Sequence, residues 1–153
     1  MPVAKLKEYL DQQGIKYVAI AHSQAFTAQE IAASAHVRGK ELAKTVMVKL
    51  DGELAMAVLP AARRVDFARL GRAAGATKAE LASEEEFRGL FPGCELGAMP
   101  PFGNLYELKV VADESLAEDE EIAFNAGSHT ELIRLGWKDY ERLVQPLRAA
   151  FAG

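Results

Sequence analysis

The sequence predicts an α+β, or mixed α/β, fold in which a largely antiparallel or mixed sheet packs with several helices. Two apolar runs, Thr45 to Leu50 and Leu54 to Leu59, flank the pair Asp51-Gly52, which is a strong signal for a β-hairpin. Two patterns of the form S/T-x-x-E, starting at Thr27 and at Ser83, are typical of helix N-termini. Hairpins with helices interspersed between them indicate this fold class.

The first half of the chain is predicted to alternate helices and strands. The N-terminal segment has apolar residues at helical spacing, and Gly14 is expected to end that helix. Tyr17 to Ala21 is predicted to be a short strand, and a further helix is expected from Thr27 to about His36. The run from Leu54 to Leu59 is apolar on both faces, so we place it in the centre of the sheet.

The second half of the chain is predicted to contain three helices and three further strands. The acidic connection from Asp113 to Glu121 is expected to be solvated. The helices are expected at Asp66 to Ala74, at Ser83 to about Leu90 and at Trp137 to Val144, and the strands at Tyr106 to Val110, at Glu121 to Ala126 and at Thr130 to Leu135.

The composition indicates one ordinary globular domain over residues 1–153. Half of the 153 residues are hydrophobic and 26% are charged, which is enough for a core without a metal or a disulfide. No internal repeat or linker divides the chain. The net charge of -4 argues against a protein that coats nucleic acid by bulk charge, although a local basic patch could still grip one RNA end.

The sequence also favours a cytoplasmic location. Cys94 has no second cysteine to pair with, which suits a reducing compartment. The segment from Met1 to Leu10 lacks the apolar core of a signal peptide, and the longest apolar stretch, Leu54 to Ala62, is far too short to cross a membrane. We therefore expect no membrane partner. The sequence does not predict the oligomeric state.

Lys44 is the first candidate for chemistry. Alternation along its strand places Lys44 on the same face as Val46, Val48 and Leu50. A lysine at the mouth of an apolar face holds an anion or an ester carbonyl where water is partly excluded, and its charge counts for more there. The alternative is a lysine at a strand end that extends to solvent without a specific role.

Two further segments are candidates for pocket walls. In Gly97-Ala98-Met99-Pro100-Pro101-Phe102-Gly103, glycines permit sharp turns and prolines fix the backbone, which is typical of a rigid wall that recognises a small group. The alternative is an ordinary rigid connection. Gly127-Ser128-His129 lies at a junction between strands, where it either lines a pocket or forms a turn in which Ser128 bonds to the backbone.

Other chemistries find less support. His22, His36 and His129 are scattered, and no H-E-x-x-H or paired C-x-x-C motif occurs, so we expect no metal site. No P-loop is present and no G-x-G-x-x-G follows a strand, and we expect no cofactor. Glu95 beside Cys94 does not favour a thiolate nucleophile. A basic cluster either contacts RNA phosphates or coats the outside of a helix; it comprises Arg63, Arg64, Arg69, Arg72 and Lys78.

Taken together, these segments resemble the YbaK/ProX family of aminoacyl-tRNA deacylases, which is related to the editing domain inserted in bacterial prolyl-tRNA synthetases. The resemblance runs over nearly the whole chain. It rests on the order and spacing of four segments, Thr27 to Ala32, Lys40 to Val46, Gly97 to Gly103 and Asn125 to His129.

The resemblance implies a compact fold with a barrel-like mixed sheet surrounded by helices. It also implies hydrolysis of the ester between a wrong amino acid and the terminal ribose of tRNA, without a catalytic metal or a covalent enzyme intermediate. Lys44 matches the family's essential lysine, and Gly97 and Pro101 match its G-x-x-x-P pocket motif. The segment Gly127-Ser128-His129 matches another lining of the pocket.

The function that follows is trans-editing of mischarged tRNA, with Ala or Cys on tRNA(Pro) as the expected error. Lys44 is expected to orient the terminal phosphate or the ester carbonyl, and backbone amides around Gly97 to Pro101 to polarise the carbonyl, while water or the neighbouring ribose hydroxyl attacks. Pro100 stands where family members that act on Cys-tRNA or Ala-tRNA often carry a serine, so the amino acid stays open. The expected partners are the acceptor end of aminoacyl-tRNA and, as a second candidate, an aminoacyl-tRNA synthetase.

Two other functions stay open at this point. A non-catalytic module of the same fold would bind an aminoacyl ester, a nucleotide or a synthetase without turnover. Alternatively, Lys44 would form a Schiff base with a carbonyl substrate, which borohydride would trap. Release of amino acid from mischarged tRNA separates the hydrolase from the binding module.

Overall fold

The computed structural model describes residues 2–21, 42–91, 94–95, 98–118, 120–128 and 130–153. The predicted helix that starts at Thr27 lies outside the described residues, as do Gly97 and His129. The described helices are α1 (Pro2–Gln12), α2 (Phe67–Ala74), α3 (Glu84–Phe87) and α4 (Trp137–Val144), with 3₁₀ helices at Gly103–Tyr106 and Glu114–Glu118. The described strands are β1 (Tyr17–Ala21), β2 (Ala43–Leu50), β3 (Glu53–Pro60), β4 (Ala79–Leu81), β5 (Lys109–Asp113), β6 (Glu121–Asn125), β7 (Glu131–Gly136) and β8 (Leu147–Ala149).

These strands form two sheets. The first has the order β4-β2-β3-β5-β8, in which β2 is antiparallel to β3 and β4 while β5 is parallel to β3 and β8. The second is antiparallel, with the order β1-β7-β6. A parallel bridge between Leu42 and Ala123 joins the two sheets, and the described strands do not close into a barrel. The predicted α+β class with a mixed sheet is confirmed.

The β2–β3 hairpin forms where the sequence predicts it. Asp51 and Gly52 both have positive φ angles, 51° and 86°, as a two-residue turn that matches the twist of the strands requires. The Asp51 carboxylate also accepts hydrogen bonds from the N–H groups of Thr77 and Lys78, at 3.1 and 2.8 Å, just before β4. Strand β3 lies between β2 and β5, so its predicted central position is confirmed.

Alternation along β2 divides its side chains between two apolar clusters. Met47 faces a core that both sheets share and that contains Phe102 and Phe124. Val48 and Leu50 face a second cluster, which is covered by α2 and by the C-terminal Phe151, and Val46 packs against it. By its place in the strand, Lys44 belongs to this second face, in phase with Val46, Val48 and Leu50.

The structure differs from the sequence predictions at several element ends. The predicted strand from Tyr106 is wrong at its start, because the 3₁₀ helix Gly103–Tyr106 ends on Glu107 in the left-handed region (φ 57°) and β5 begins only at Lys109. Helix α3 ends at Phe87 rather than near Leu90, although its predicted capping box is formed. The three-residue strands β4 and β8 were not predicted, since each exists only through pairing with a longer strand.

The acidic connection after β5 is also not simply solvated. Asp113 is 2% exposed, and its Oδ1 accepts hydrogen bonds from the N–H groups of Phe151 and Ala152, each at 3.0 Å. Its Oδ2 accepts from the N–H and the hydroxyl of Ser115. Burial pushes the pKa of Asp113 upward, but these hydrogen bonds outweigh burial and leave the pKa lowered. Asp113 therefore fastens the C-terminal segment to the end of β5.

No helix in the described part of the chain is long and apolar enough to cross a membrane.

Candidate functional site

The two segments predicted to line a pocket are hydrogen-bonded to each other. The Gly127 N–H donates to the carbonyl of Ala98 at 2.9 Å, and the Glu95 N–H donates to the carbonyl of Gly127 at 2.8 Å. Gly127 has a φ of 99°, a conformation that strongly favours glycine. The structure therefore brings the loop from Ala98 onward together with the segment that follows β6.

The loop from Ala98 to Pro101 is buried, and a hydrogen bond from α4 fixes its backbone. Ala98, Met99, Pro100 and Pro101 are all buried. The Tyr140 hydroxyl of α4 donates to the Pro101 carbonyl at 2.7 Å inside the core. A loop fixed by prolines and by a buried hydrogen bond presents one backbone shape, as shape-based recognition requires.

Gly103 ends this loop at a place that admits no side chain. A Cβ atom there would lie 2.5 Å from Val110 Cγ2 and 2.7 Å from the Leu108 carbonyl oxygen. Both distances are far below van der Waals contact. Gly103 is therefore required by close packing of the loop on the start of β5.

Between residues 98 and 101, few backbone donors are available. Pro100 and Pro101 carry no N–H, and the Ala98 N–H donates to the carbonyl of Glu95 at 3.0 Å. Between residues 98 and 101, the Met99 N–H alone has no hydrogen bond within the described part of the chain. Because an unpaired N–H in a buried segment is costly, this donor is a candidate for contact with a substrate oxygen.

Lys44 is a partly buried cation with no ion-pair partner among the described residues. Burial and, secondly, the positive charge of Arg64 lower the pKa of Lys44. Among the described residues no carboxylate forms an ion pair with Lys44, whereas Lys49 in the same strand pairs with Glu80 at 3.2 Å and Glu86 at 2.8 Å. Lys44 is therefore ready to hold an anion or a carbonyl oxygen that the described residues do not supply.

The Leu42–Ala123 bridge between the sheets brings the start of β2 close to the strand that precedes the pocket segments. The chain runs parallel on the two sides of this bridge, and Lys44 and Asn125 each follow it by two residues. The Asn125 Oδ1 atom is buried and has no hydrogen-bond partner in the described residues. Two residues further along, Gly127 contacts the loop. The start of β2, which carries Lys44, thus lies beside the end of β6, which leads into the pocket segments.

Asn125 was part of the segment that the resemblance used, but it was not singled out as a site residue. The signal was present in the sequence: an amide side chain directly follows the apolar residues of a buried strand. Arg64 was recognised only as one member of a basic cluster. Its nearness to Lys44 depends on the turn after β3, which the sequence does not predict.

Two predicted features have modest local roles. The Ser128 hydroxyl lies 3.3 Å from the Thr130 hydroxyl and accepts the Thr130 N–H at 3.4 Å, so it supports the turn as the simpler interpretation foresaw. Burial raises the pKa of the Cys94 thiol, which disfavours the thiolate, and a hydrogen bond from Tyr106 offsets this only in part. Within the described residues no cluster of His, Cys, Asp and Glu has the geometry of a metal site.

Comparison with known proteins identifies the family. The model of the aminoacyl-tRNA editing domain matches residues 22–143 of this chain. The multifunctional Ser/Thr-tRNA deacylase ProXp-y of Escherichia coli (strain K12) is 34% identical over 150 residues, with 93% of this chain and 87% of that protein covered. The proline--tRNA ligase of Bacillus cytotoxicus is 29% identical over 89 residues, which is 58% of this chain but only 16% of that protein.

A solved structure described as a proposed trans-editing enzyme for prolyl tRNA synthetase has the same fold. It superposes with a TM-score of 0.84 at 22% identity, and the match covers 99% of this chain and 97% of that one. The family model and the Escherichia coli relative confirm the family predicted from the sequence, and with it the predicted enzyme class of aminoacyl-tRNA deacylases. The chain belongs to the aminoacyl-tRNA editing domain family.

Proposed function

We propose that the protein hydrolyses the ester that joins a wrongly attached small amino acid to the terminal ribose of tRNA. The observation that carries the proposal is the state of Lys44, a partly buried ammonium with no carboxylate partner among the described residues. It lies near the start of β2, beside the end of β6, and β6 leads into the pocket segments. The deacylase name of the Escherichia coli relative supports a hydrolase rather than a binding module.

The candidate amino acids are Ala and Cys, as the family resemblance implies, and Ser and Thr, as in the name of the Escherichia coli relative. All four have small side chains. The rigid loop that contains Met99, Pro100 and Pro101 suits selection by size, because its buried backbone leaves little room to adapt. Such a pocket rejects larger side chains sharply but discriminates only weakly against one that is a methylene smaller.

The chemistry uses charge and backbone donors in place of a protein nucleophile. Lys44 orients the terminal phosphate or the ester carbonyl, and the Met99 N–H donates to the carbonyl oxygen as negative charge develops on it. The oxygen of a water molecule adds to the ester carbon, the bond to the ribose oxygen breaks, and that oxygen takes up a proton. Attack by the neighbouring ribose hydroxyl would only move the acyl group, so water completes the reaction.

The direct experiment is a panel of charged tRNAs. The protein is incubated with Ala-tRNA(Pro), Cys-tRNA(Pro), Ser-tRNA and Thr-tRNA, with Pro-tRNA(Pro) as the correctly charged control, and released amino acid is measured. We expect release from at least one of the first four and none above background from the control. Stability of all the charged tRNAs would contradict the hydrolase and leave the binding module.

A further inference from the structure

We infer that Arg64 is a second phosphate-binding residue of this site, and that its guanidinium and the Lys44 ammonium hold one phosphate of the RNA 3′ end between them. The inference rests on the proposed function and names the part of the substrate that Lys44 and Arg64 bind. It singles out one arginine from a basic cluster in which Arg63, Arg69 and Lys78 form ion pairs with carboxylates.

The course of the chain after β3 places Arg64 on the face that carries Lys44. Ala61, which binds the Leu42 carbonyl through its N–H at 2.8 Å, packs against the apolar cluster of Leu42. Val65 packs against the cluster that contains Leu59, the residue paired with Lys44 across the hairpin. The segment between Ala61 and Val65 therefore crosses the part of the sheet where Lys44 lies, and Arg64 belongs to that segment.

In the described part of the chain, the carboxylates of Asp66 and Asp113 near Arg64 are engaged by other residues. Asp66 accepts one hydrogen bond, from the Arg69 N–H at the start of α2, and pairs with the Arg69 side chain at 3.5 Å. Asp113 holds the C-terminal segment and has Arg63 at 3.9 Å. Within the described residues neither Lys44 nor Arg64 has an ion-pair partner.

The backbone of Arg64 is fixed although its side chain is exposed. Its N–H donates to the Gly153 carbonyl at 3.2 Å, and its carbonyl accepts from the Gly153 N–H at 2.7 Å. The bridge between Val65 and Ala152 continues this pairing. Arg64 thus projects from an anchored strand-like segment, which lowers the entropy cost of holding a ligand.

Lys44 and Arg64, which have no ion-pair partner among the described residues, repel each other, and a shared anion removes that repulsion. The end of an aminoacyl-tRNA offers one kind of anion close to the ester, a phosphodiester, because the attached amino acid carries an ammonium rather than a carboxylate. The planar guanidinium of Arg64 matches two phosphate oxygens, and the ammonium of Lys44 acts as a point charge beside them.

The test compares matched substrates with and without the phosphate. Alanyl-adenosine and seryl-adenosine are each prepared with and without a 5′-phosphate, and kcat/KM is measured for the native protein, Arg64→Ala, Arg64→Lys and Arg72→Ala. Arg72 is the control, because it is an exposed arginine of α2 without an ion pair in the described part of the chain. Hydrolysis of the mischarged tRNA by the same proteins is followed as a function of salt.

We expect Arg64→Ala to lower kcat/KM for the phosphorylated substrate about three- to tenfold, the size of one charged contact near a surface. The unphosphorylated substrate should react unchanged, Arg64→Lys should restore much of the loss, and Arg72→Ala should behave as the native protein. On tRNA, the slope of log kcat/KM against log salt should become shallower by about 0.7, as for one phosphate contact on a single strand.

Equal losses on both substrates, or no loss and an unchanged salt slope, would overturn the role of Arg64 while leaving the hydrolase intact. If the native protein cleaves tRNA but neither adenosine ester, the salt dependence of kcat/KM on tRNA decides. A shallower slope for Arg64→Ala supports the phosphate contact, and an unchanged slope overturns it. Failure of the native protein on every substrate would overturn the proposed function and this inference together.

Discussion

Replacing Asp113 with alanine is expected to cost the fold about 3 to 4 kcal/mol, because three buried or half-buried N–H groups lose their acceptor at about 1 to 3 kcal/mol each before relaxation. The three donors are the N–H groups of Phe151, Ala152 and Ser115. Phe151 is fully buried in the cluster below α2, so releasing the C-terminal segment also loosens apolar packing. The magnitude is large compared with the total stability of an ordinary domain.

Urea unfolding followed by circular dichroism measures this loss. The matched control is Asp66→Ala, since Asp66 also accepts a backbone N–H, at 3.1 Å, but as an N-cap of α2 nearer the surface. Loss of such a cap costs about 1 kcal/mol. Asp113→Asn keeps one acceptor oxygen and should fall between native and alanine. If Asp113→Ala and Asp66→Ala unfold at the same urea concentration, the fastening role of Asp113 is wrong.

The stability that the Asp113 carboxylate contributes should depend on pH with a definite sign. The folded protein lowers the pKa of Asp113 below its ordinary value of 3.8, so the charged form contributes stability above that pH. That contribution is lost as the pH falls through the folded pKa. The stability difference between the native protein and Asp113→Asn should therefore be constant at neutral pH and shrink in strong acid. A difference that grows in acid would contradict the assignment.

Three further predictions concern the site and its support. Gly103→Ala should cost about 1 to 3 kcal/mol in urea unfolding because of its close contacts, while Gly89→Ala, with open space around it, should cost far less. Tyr140→Phe should cost about 1 to 2 kcal/mol, since the buried Pro101 carbonyl loses its donor. In a ¹³C titration of the lysine side chains, the pKa of Lys44 should lie below the ordinary lysine value of 10.5 and the pKa of Lys49 above it. Identical midpoints would contradict the burial of Lys44.

The local parts of the fold follow from the sequence because short-range signals decide them. The Asp51-Gly52 pair meets the φ requirement of its turn, and Ser83 and Glu86 form the capping box that their spacing predicts. The strand β1 and the helix α4 have the predicted bounds. In each case, residues within a few positions of one another supply the interaction.

The parts that the sequence does not reveal depend on distant contacts. Strands β4 and β8 are three residues long and gain their hydrogen bonds from β2 and β5. Asp113 stands in an acidic run that suggests a solvated loop, and only the return of the C-terminal segment buries it. The nearness of Arg64 to Lys44 likewise needs the turn after β3 and the pairing with Gly153.

The function of Lys44 is the central claim, and single-turnover hydrolysis of the best mischarged tRNA from the panel tests it most directly. Lys44→Ala is compared with Lys49→Ala, a lysine of the same strand whose charge is already paired with Glu80 and Glu86. We predict that Lys44→Ala slows hydrolysis about a hundredfold or more, as for loss of a key charge in a partly dry site, with unchanged circular dichroism, while Lys49→Ala stays close to native. Native rates for Lys44→Ala, or equal losses for the two variants, would contradict the account.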